Sequence, residues 1–258
     1  MSLVPAFPAS EGVGRRRRCS FGLRASATGL LAALALSTAG CSVKSGQNAN
    51  LIVGKQQFVA KCGSCHTLVR ANTKGSIGPN LDEAVRESFA DGLHRSTFRG
   101  VVEEQIRIPN PEGVMPKDLV GGATLRDVAA YVSQVAGRTG QDTGLLASAV
   151  AAPGAGKPAV EKAGKLQIAA NPAGQLAYVT NKAAATAGPV AFEMPNVSGV
   201  SHNIAIQQGT SGPVLGASAF TTKGTASVAV TLKPGSYTFF CQTPGHRQAG
   251  MLGTLTVK

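Results

Sequence analysis

Near its C-terminal end the chain reads Cys241-Gln-Thr-Pro-Gly-His246-Arg-Gln-Ala-Gly-Met251. A thiol, an imidazole and a thioether thus fall within eleven residues, and His202-Asn203 stands about forty residues upstream. Two histidines, a cysteine and a weak axial methionine form the ligand set of blue copper sites. Their soft sulfur ligands and constrained geometry reduce the rearrangement between Cu(I) and Cu(II). Tyr237-Thr-Phe-Phe240 reads as a strand entering the motif, and Leu252-Gly-Thr-Leu-Thr-Val257 as one leaving it.

Outward from the motif, the charge-poor Gly/Thr/Val-rich block 165–258 holds further strand-like runs at Val190 to Phe192, His202 to Ile206 and Ala226 to Leu232. Lys233-Pro-Gly235 marks a turn. About seven or eight strands in a sandwich are expected. This block resembles the cupredoxins, the plastocyanin and azurin family, which implies an all-β Greek-key sandwich. The resemblance also implies one type 1 (blue) copper held by His202, Cys241, His246 and Met251, with Asn203 tying the ligand loops together by hydrogen bonds. Four residues between Cys241 and His246 exceed the usual two of plastocyanin and match longer loops elsewhere in the family.

A second motif lies in the mixed-charge block 51–140. Cys62-Gly-Ser-Cys65-His66 is C-x-x-C-H, the c-type haem attachment sequence, in which two thiols add to the porphyrin vinyl groups and the adjacent imidazole is set against the iron. The alternatives are a zinc site, for which only His94 is at hand in this block, or a redox dithiol. Leu51, Phe58 and Val59 sit near helical spacing before Cys62. Thr124-Leu-Arg-Asp127 looks like a capping box opening a last helix from about Leu125 to Val135. Met115 is the only methionine of the block. It is the expected sixth iron ligand, against the alternative of a core methionine with an open or His94-ligated haem, which would suggest peroxidase or gas-binding chemistry.

In order, Gly54, Phe58, Cys62, Cys65 and His66, then Gly78-Pro79-Asn80-Leu81, Met115-Pro116, and Leu125 to Val135 with Tyr131 resemble the small soluble class I cytochromes c of bacteria. The resemblance implies an all-α fold, one covalent haem c on Cys62 and Cys65, and His66 and Met115 as axial ligands. It also implies that Pro79 offers its carbonyl to His66.

The N-terminal segment reads as an address. Arg15 to Arg18 and Arg24 precede the apolar Gly29-Leu-Leu-Ala-Ala-Leu-Ala-Leu36, and the small residues Ser37-Thr-Ala-Gly40 lead to Cys41. The ending resembles the lipobox of bacterial lipoproteins, which implies removal of 1–40, lipidation of Cys41 and anchoring on the outer face of the cytoplasmic membrane. An uncleaved anchor or a plain secretory signal are the alternatives.

The expected organisation is a signal peptide at 1–40, a tether at 41–50, a cytochrome c domain at 51–140, a flexible linker at 141–164 and a cupredoxin domain at 165–258. Ala-Ala-Pro-Gly-Ala-Gly-Lys-Pro marks the linker, with a short helix from Gly144 to Ala152 against either domain as the alternative. Removing 1–40 leaves 20 basic and 12 acidic residues, a net +8, which favours redox partners with acidic docking surfaces, such as a respiratory complex or an oxidase. Scattered basic residues and export argue against nucleic acid. With Cys19 leaving in the signal, every other cysteine is committed, and His94 is the one unassigned histidine. No nucleophile, type 2 copper or dinuclear copper centre can be built from that set. The expected function is therefore an electron carrier with haem and copper, not an enzyme, and no small-molecule substrate is expected. The alternatives are a copper-delivery protein and a haem enzyme fed by the copper domain.

Overall fold

The computed structural model describes residues 49–258. The expected signal peptide, Cys19 and the lipidation site Cys41 lie outside the described residues.

Helix α1 (Leu51–Lys61) starts where the Asn50 side chain accepts hydrogen bonds from the N–H groups of Ile52 and Val53, both at 3.1 Å. That satisfies two of the donors a helix start leaves open. A short hairpin, β1 (Thr67–Leu68) with β2 (Thr73–Lys74), follows. Then come α2 (Leu81–Ala90), α3 (Arg95–Arg107) and α4 (Gly122–Val135). Only the outer two of these four helices were legible as helices in the sequence.

Helices α1 and α4 cross at Gly54, where a Cβ would run into the Asp127 carbonyl and come within 2.9 Å of Tyr131 Cβ. Glycine lets the backbones meet there. One turn further on, Phe58 and Tyr131 pack with ring centroids 6.4 Å apart. Phe58, Leu68, Val85, Phe98, Leu125, Val128, Tyr131 and Val132 form one apolar core. The expected capping box at Thr124 is not formed. Helix α4 begins at Gly122 with no side-chain cap, and Asp127 instead accepts the Asn50 N–H at 2.8 Å, joining the two helices.

Segment 141–164, expected as a flexible linker, is packed along its length. Asp142 is buried and meets Lys55 Nζ at 3.0 Å, Arg70 Nε at 2.9 Å and the Tyr131 hydroxyl at 2.9 Å. A buried carboxylate must be paired, and this one ties the start of the segment to α1 and α4. Helix α5 (Leu145–Ser148) lies on α1, with Lys55 Nζ donating to Leu146 O at 2.7 Å and Gln56 Nε2 to Ala149 O at 3.1 Å. From Gly154 onward the segment joins the β domain. Gly156 N donates to Val179 O at 2.8 Å, and β3 (Ala159–Val160) pairs in parallel with β5 (Lys182–Ala185). Alanine and glycine lack side-chain interactions of their own, yet they let backbone approach backbone; composition shows the first property and hides the second.

The β domain adds β4 (Lys165–Gln167), β6 (Gly188–Asn196), β7 (Ala205–Gln208), β8 (Val214–Ala217), β9 (Gly224–Leu232), β10 (Gly235–Phe240) and β11 (Leu252–Val257). They form two sheets, ordered β3-β5-β11-β10-β7-β8 and β4-β6-β9. Inward residues of both sheets, among them Leu166, Phe192, Met194, Ile204, Phe239 and Leu255, fill the space between them. Alternation in β11 is strict: Gly253, Leu255 and Val257 are buried and the residues between them exposed, the pattern of a strand with one face on a core. The loop between β10 and β11 carries Cys241, His246 and Met251, and of the three only His246 sits on its short turn of helix, α6 (His246–Ala249).

Candidate metal centre

Cys241 follows directly on β10 and is buried, as are His202, His246 and Met251. His202 arrives from the other side of the sheet end, where its backbone bridges Thr221 just before β7. The Nδ1 atoms of His202 and His246 stand 3.1 Å apart, and Cys241 Sγ lies 3.9 Å from the first and 3.6 Å from the second. Ligand bonds of about 2.0–2.3 Å would put neighbouring donor atoms of a tetrahedral centre roughly 3.3–3.7 Å apart, and the three separations here, 3.1, 3.6 and 3.9 Å, straddle that range. Among the described residues this is the one group of three or more histidine, cysteine or acidic side chains arranged to hold a metal.

Burial holds His202 down to about 4, with His246 beside it adding to the effect, and burial also lowers His246. Both imidazoles are therefore neutral at pH 7 and present lone pairs.

The loop is fastened from several directions. Cys241 N donates to Met251 O at 3.1 Å and Met251 N to His246 O at 2.9 Å, closing the loop on itself and holding Met251 beside both ligand positions in the backbone. Asn203 donates from Nδ2 to Gln242 Oε1 at 2.9 Å and accepts the Gln242 N–H at 2.8 Å. It thereby joins the His202 segment to the Cys241 loop. Tyr178 adds its hydroxyl to Asn203 O at 2.8 Å, and Thr243 donates to Ser201 O at 3.0 Å. Arg247 stacks on Phe240, 4.1 Å from the ring centroid, and donates to Gln207 Oε1 at 2.8 Å. Gln242, Thr243, Tyr178 and Arg247 were not singled out from sequence. Adjacency to a ligand was the sole signal for three of them, and Tyr178 had none.

At the end of α1, Cys62 is buried and Cys65 half-buried, and neither is in a disulfide. Burial, with Cys65 adding to it, pushes the Cys62 thiol up to about 12, so it is protonated at neutral pH. His66 Nδ1 lies 2.9 Å from the Pro79 carbonyl. A carbonyl can only accept, so Nδ1 carries a proton, and Nε2 is the ring nitrogen left to face a ligand. Gly78 stands flat against the ring, where a Cβ would come within 2.5 Å of Cε1, and its N–H donates to Cys65 O at 2.8 Å. Met115 is half-buried and packs on the same apolar core as Cys62, Phe58 and Tyr131. His94 is exposed at the start of α3.

Residues 165–258 match the family of copper binding proteins described as the plastocyanin/azurin family, and they form a cupredoxin domain. Among solved structures, auracyanin B is 27% identical over 41% of this chain and 96% of its own, with a TM-score of 0.34. Auracyanin A, a "blue" copper protein from the green thermophilic photosynthetic bacterium Chloroflexus aurantiacus, is 23% identical over 40% and 100%, with a TM-score of 0.32. Reduced rusticyanin is 17% identical over 39% and 84%, with a TM-score of 0.32. No curated protein matches the chain. The family match and the His202, Cys241, His246 and Met251 set support one type 1 copper.

Proposed function

We propose that this chain, whose residues 165–258 form a cupredoxin domain, is a single-electron carrier with a blue copper centre and a covalent haem c, and that it performs no substrate chemistry. The observation that carries the proposal is the convergence of three buried donor atoms, His202 Nδ1, His246 Nδ1 and Cys241 Sγ, in a domain of a copper-binding family.

His202, Cys241 and His246 would hold the copper, with Met251 as the weak axial ligand. When bound, copper supplies a couple that exchanges one electron without bond making to a substrate. The chain's own part is to keep the two imidazoles neutral, to exclude water, and to hold the ligand segments through Asn203 and Gln242 so that they need not move.

The haem reading rests on C-x-x-C-H at the end of α1 and on the surroundings of His66. Cys62 and Cys65 would bond the porphyrin, and His66 and Met115 would take the axial positions. The residues fit: Nδ1 of His66 is fixed on the Pro79 carbonyl, and the Cys62 and Met115 side chains lie on an apolar core. Such a group supplies a second one-electron couple. Held by His66 and Met115 on one side and by His202, Cys241, His246 and Met251 on the other, the two groups would supply electron exchange alone.

The proposal extends to placement. Export and lipidation at Cys41 would set the carrier on the outer face of the cytoplasmic membrane, and among the described residues no helix is long and apolar enough to cross one. A mature net charge of +8 suits acidic docking faces on a respiratory donor and an oxidase or other acceptor.

Visible spectra of purified protein, oxidised and reduced, test the function. A thiolate-to-copper band that bleaches on reduction, together with sharpened c-type haem bands, is the expected result. A copper band without haem bands reduces the chain to a copper carrier, and absence of both overturns the proposal.

A further inference from the structure

The segment carrying His246 touches the segment carrying His66. Gly245, bonded to His246, stands against Ser76, whose Oγ would lie 3.4 Å from a Cβ at Gly245. Ser76 is bonded to Gly75, which packs directly on the Cys65 backbone, and Gly75 O accepts from Thr67 Oγ1 at 2.8 Å. The two loops also share a cleft of about 280 Å³, lined by Gly63, Thr73 and Lys74 of the attachment loop, Ala249 and Gly250 of the copper loop, and Leu176. A second contact lies on the last turn of α1, just before the attachment cysteines. Gly174 abuts the last turn of α1, where a Cβ would come within 2.7 Å of Ala60 O. Next to it, Gln175 Nε2 donates to Ala151 O at 3.1 Å, so the β domain also grips the connecting segment.

These contacts run from a copper ligand to the attachment cysteine through His246, Gly245, the Ser76 side chain, Gly75 and Cys65. A freely tethered pair of domains would not need it, because covalent linkage alone gives a high effective concentration. We infer that the copper loop is docked on the Gly63–Ser76 loop as a built-in electron port, so that the two centres exchange electrons across the Gly245–Ser76 contact without the domains separating and re-colliding. Each crossing moves one electron: one centre is oxidised by one unit as the other is reduced by one, and no proton or bond is exchanged. The inference rests on the two-centre reading above.

The port is tested on the mature protein carrying both groups, with two wedges, Ser76→Trp at the first contact and Gly174→Arg at the second, and Glu112→Trp, an exposed position of the first domain, as control. Nitrogen-15 relaxation reads the dock without reference to electron transfer, and residues 51–140 and 165–258 of the unaltered protein should share one tumbling time. Flash reduction followed at the copper band should give a transfer rate that does not depend on protein concentration. Either wedge should slow it at least tenfold while both visible spectra stay intact, and the control should not. Two tumbling times in the unaltered protein, or a rate that no wedge alters although tumbling shows the domains parted, overturns the port alone. Protein that lacks c-type haem bands overturns the two-centre reading and the port with it.

Discussion

The Nδ1 atoms of His202 and His246 face each other at 3.1 Å across the end of the sandwich, with both rings buried. The copper-free protein therefore holds two imidazoles where two charges would repel. His202 is held down to about 4 from an ordinary 6.5, and His246 is shifted in the same direction. Between those values the unfolded chain binds the proton and the folded chain resists it, so folding stability rises with pH across that window and levels off above about 6.5. Denaturant melts of copper-free protein should show a loss on the order of 2–3 kcal/mol from pH 6.5 down to 4. A profile flat over that range would mean that the pair is not buried neutral.

Cys241→Ser removes the sulfur that would give the thiolate-to-copper band. The band should vanish, and the c-type haem bands should remain, because Cys62, Cys65 and His66 lie in the other domain. A spectrum unchanged by this substitution would exclude a blue copper site at the β10–β11 loop.

Asn203→Ala leaves the Gln242 N–H without its 2.8 Å acceptor and unties the two ligand segments. One lost buried partner is worth about 1–3 kcal/mol, and freedom at the ligands should loosen copper by roughly 10–100-fold. Competition with a chelator measures it; affinity equal to that of the unaltered protein would show that the loop closes without Asn203.

Asp142→Ala strands Lys55, Arg70 and the Tyr131 hydroxyl, all of which meet on the one carboxylate. Breaking a buried pair on one side costs about 3–5 kcal/mol. The expected outcome is a markedly lower thermal midpoint and faster proteolysis within 141–164. Unchanged resistance to protease would mean that the carboxylate does not hold this segment down.

Met115→Ala should open the sixth position of the haem, so that added carbon monoxide or cyanide binds readily to the variant and slowly to the unaltered protein. Equal rates would remove Met115 from the iron and favour a haem enzyme.

Much of the site was legible because its chemistry is local. Cys241, His246 and Met251 fall on one loop, and short-range motifs of this kind need no knowledge of distant contacts. Strand β11 coincides with the Leu252 to Val257 run because its alternation is unbroken. Helices α2 and α3 were not legible: α2 buries only Asp82 and Val85, and α3 only Phe98 and Ile106, too few apolar positions to stand out as a period. Asp82 illustrates the limit. It reads as a surface acid but is buried, accepting the N–H of Val69 and that of Gly137, both at 2.8 Å. In segment 141–164 the short helix was legible as the alternative to a flexible linker, but its anchor at Asp142 was hidden for the same reason, since the partners Lys55 and Arg70 stand more than seventy positions away in the chain.

Strand β11, the last of the chain, is not at an edge; it lies between β5 and β10, and β5 in turn pairs with β3. The loop holding Cys241, His246 and Met251 is therefore closed only when β11 takes its place between β5 and β10 in the six-stranded sheet. The helical block, whose apolar core draws on nothing after Val150, can be finished while the copper site is still half made. Loss of β11 would thus take the closing strand from the copper-ligand loop and leave the apolar core of the helical block whole.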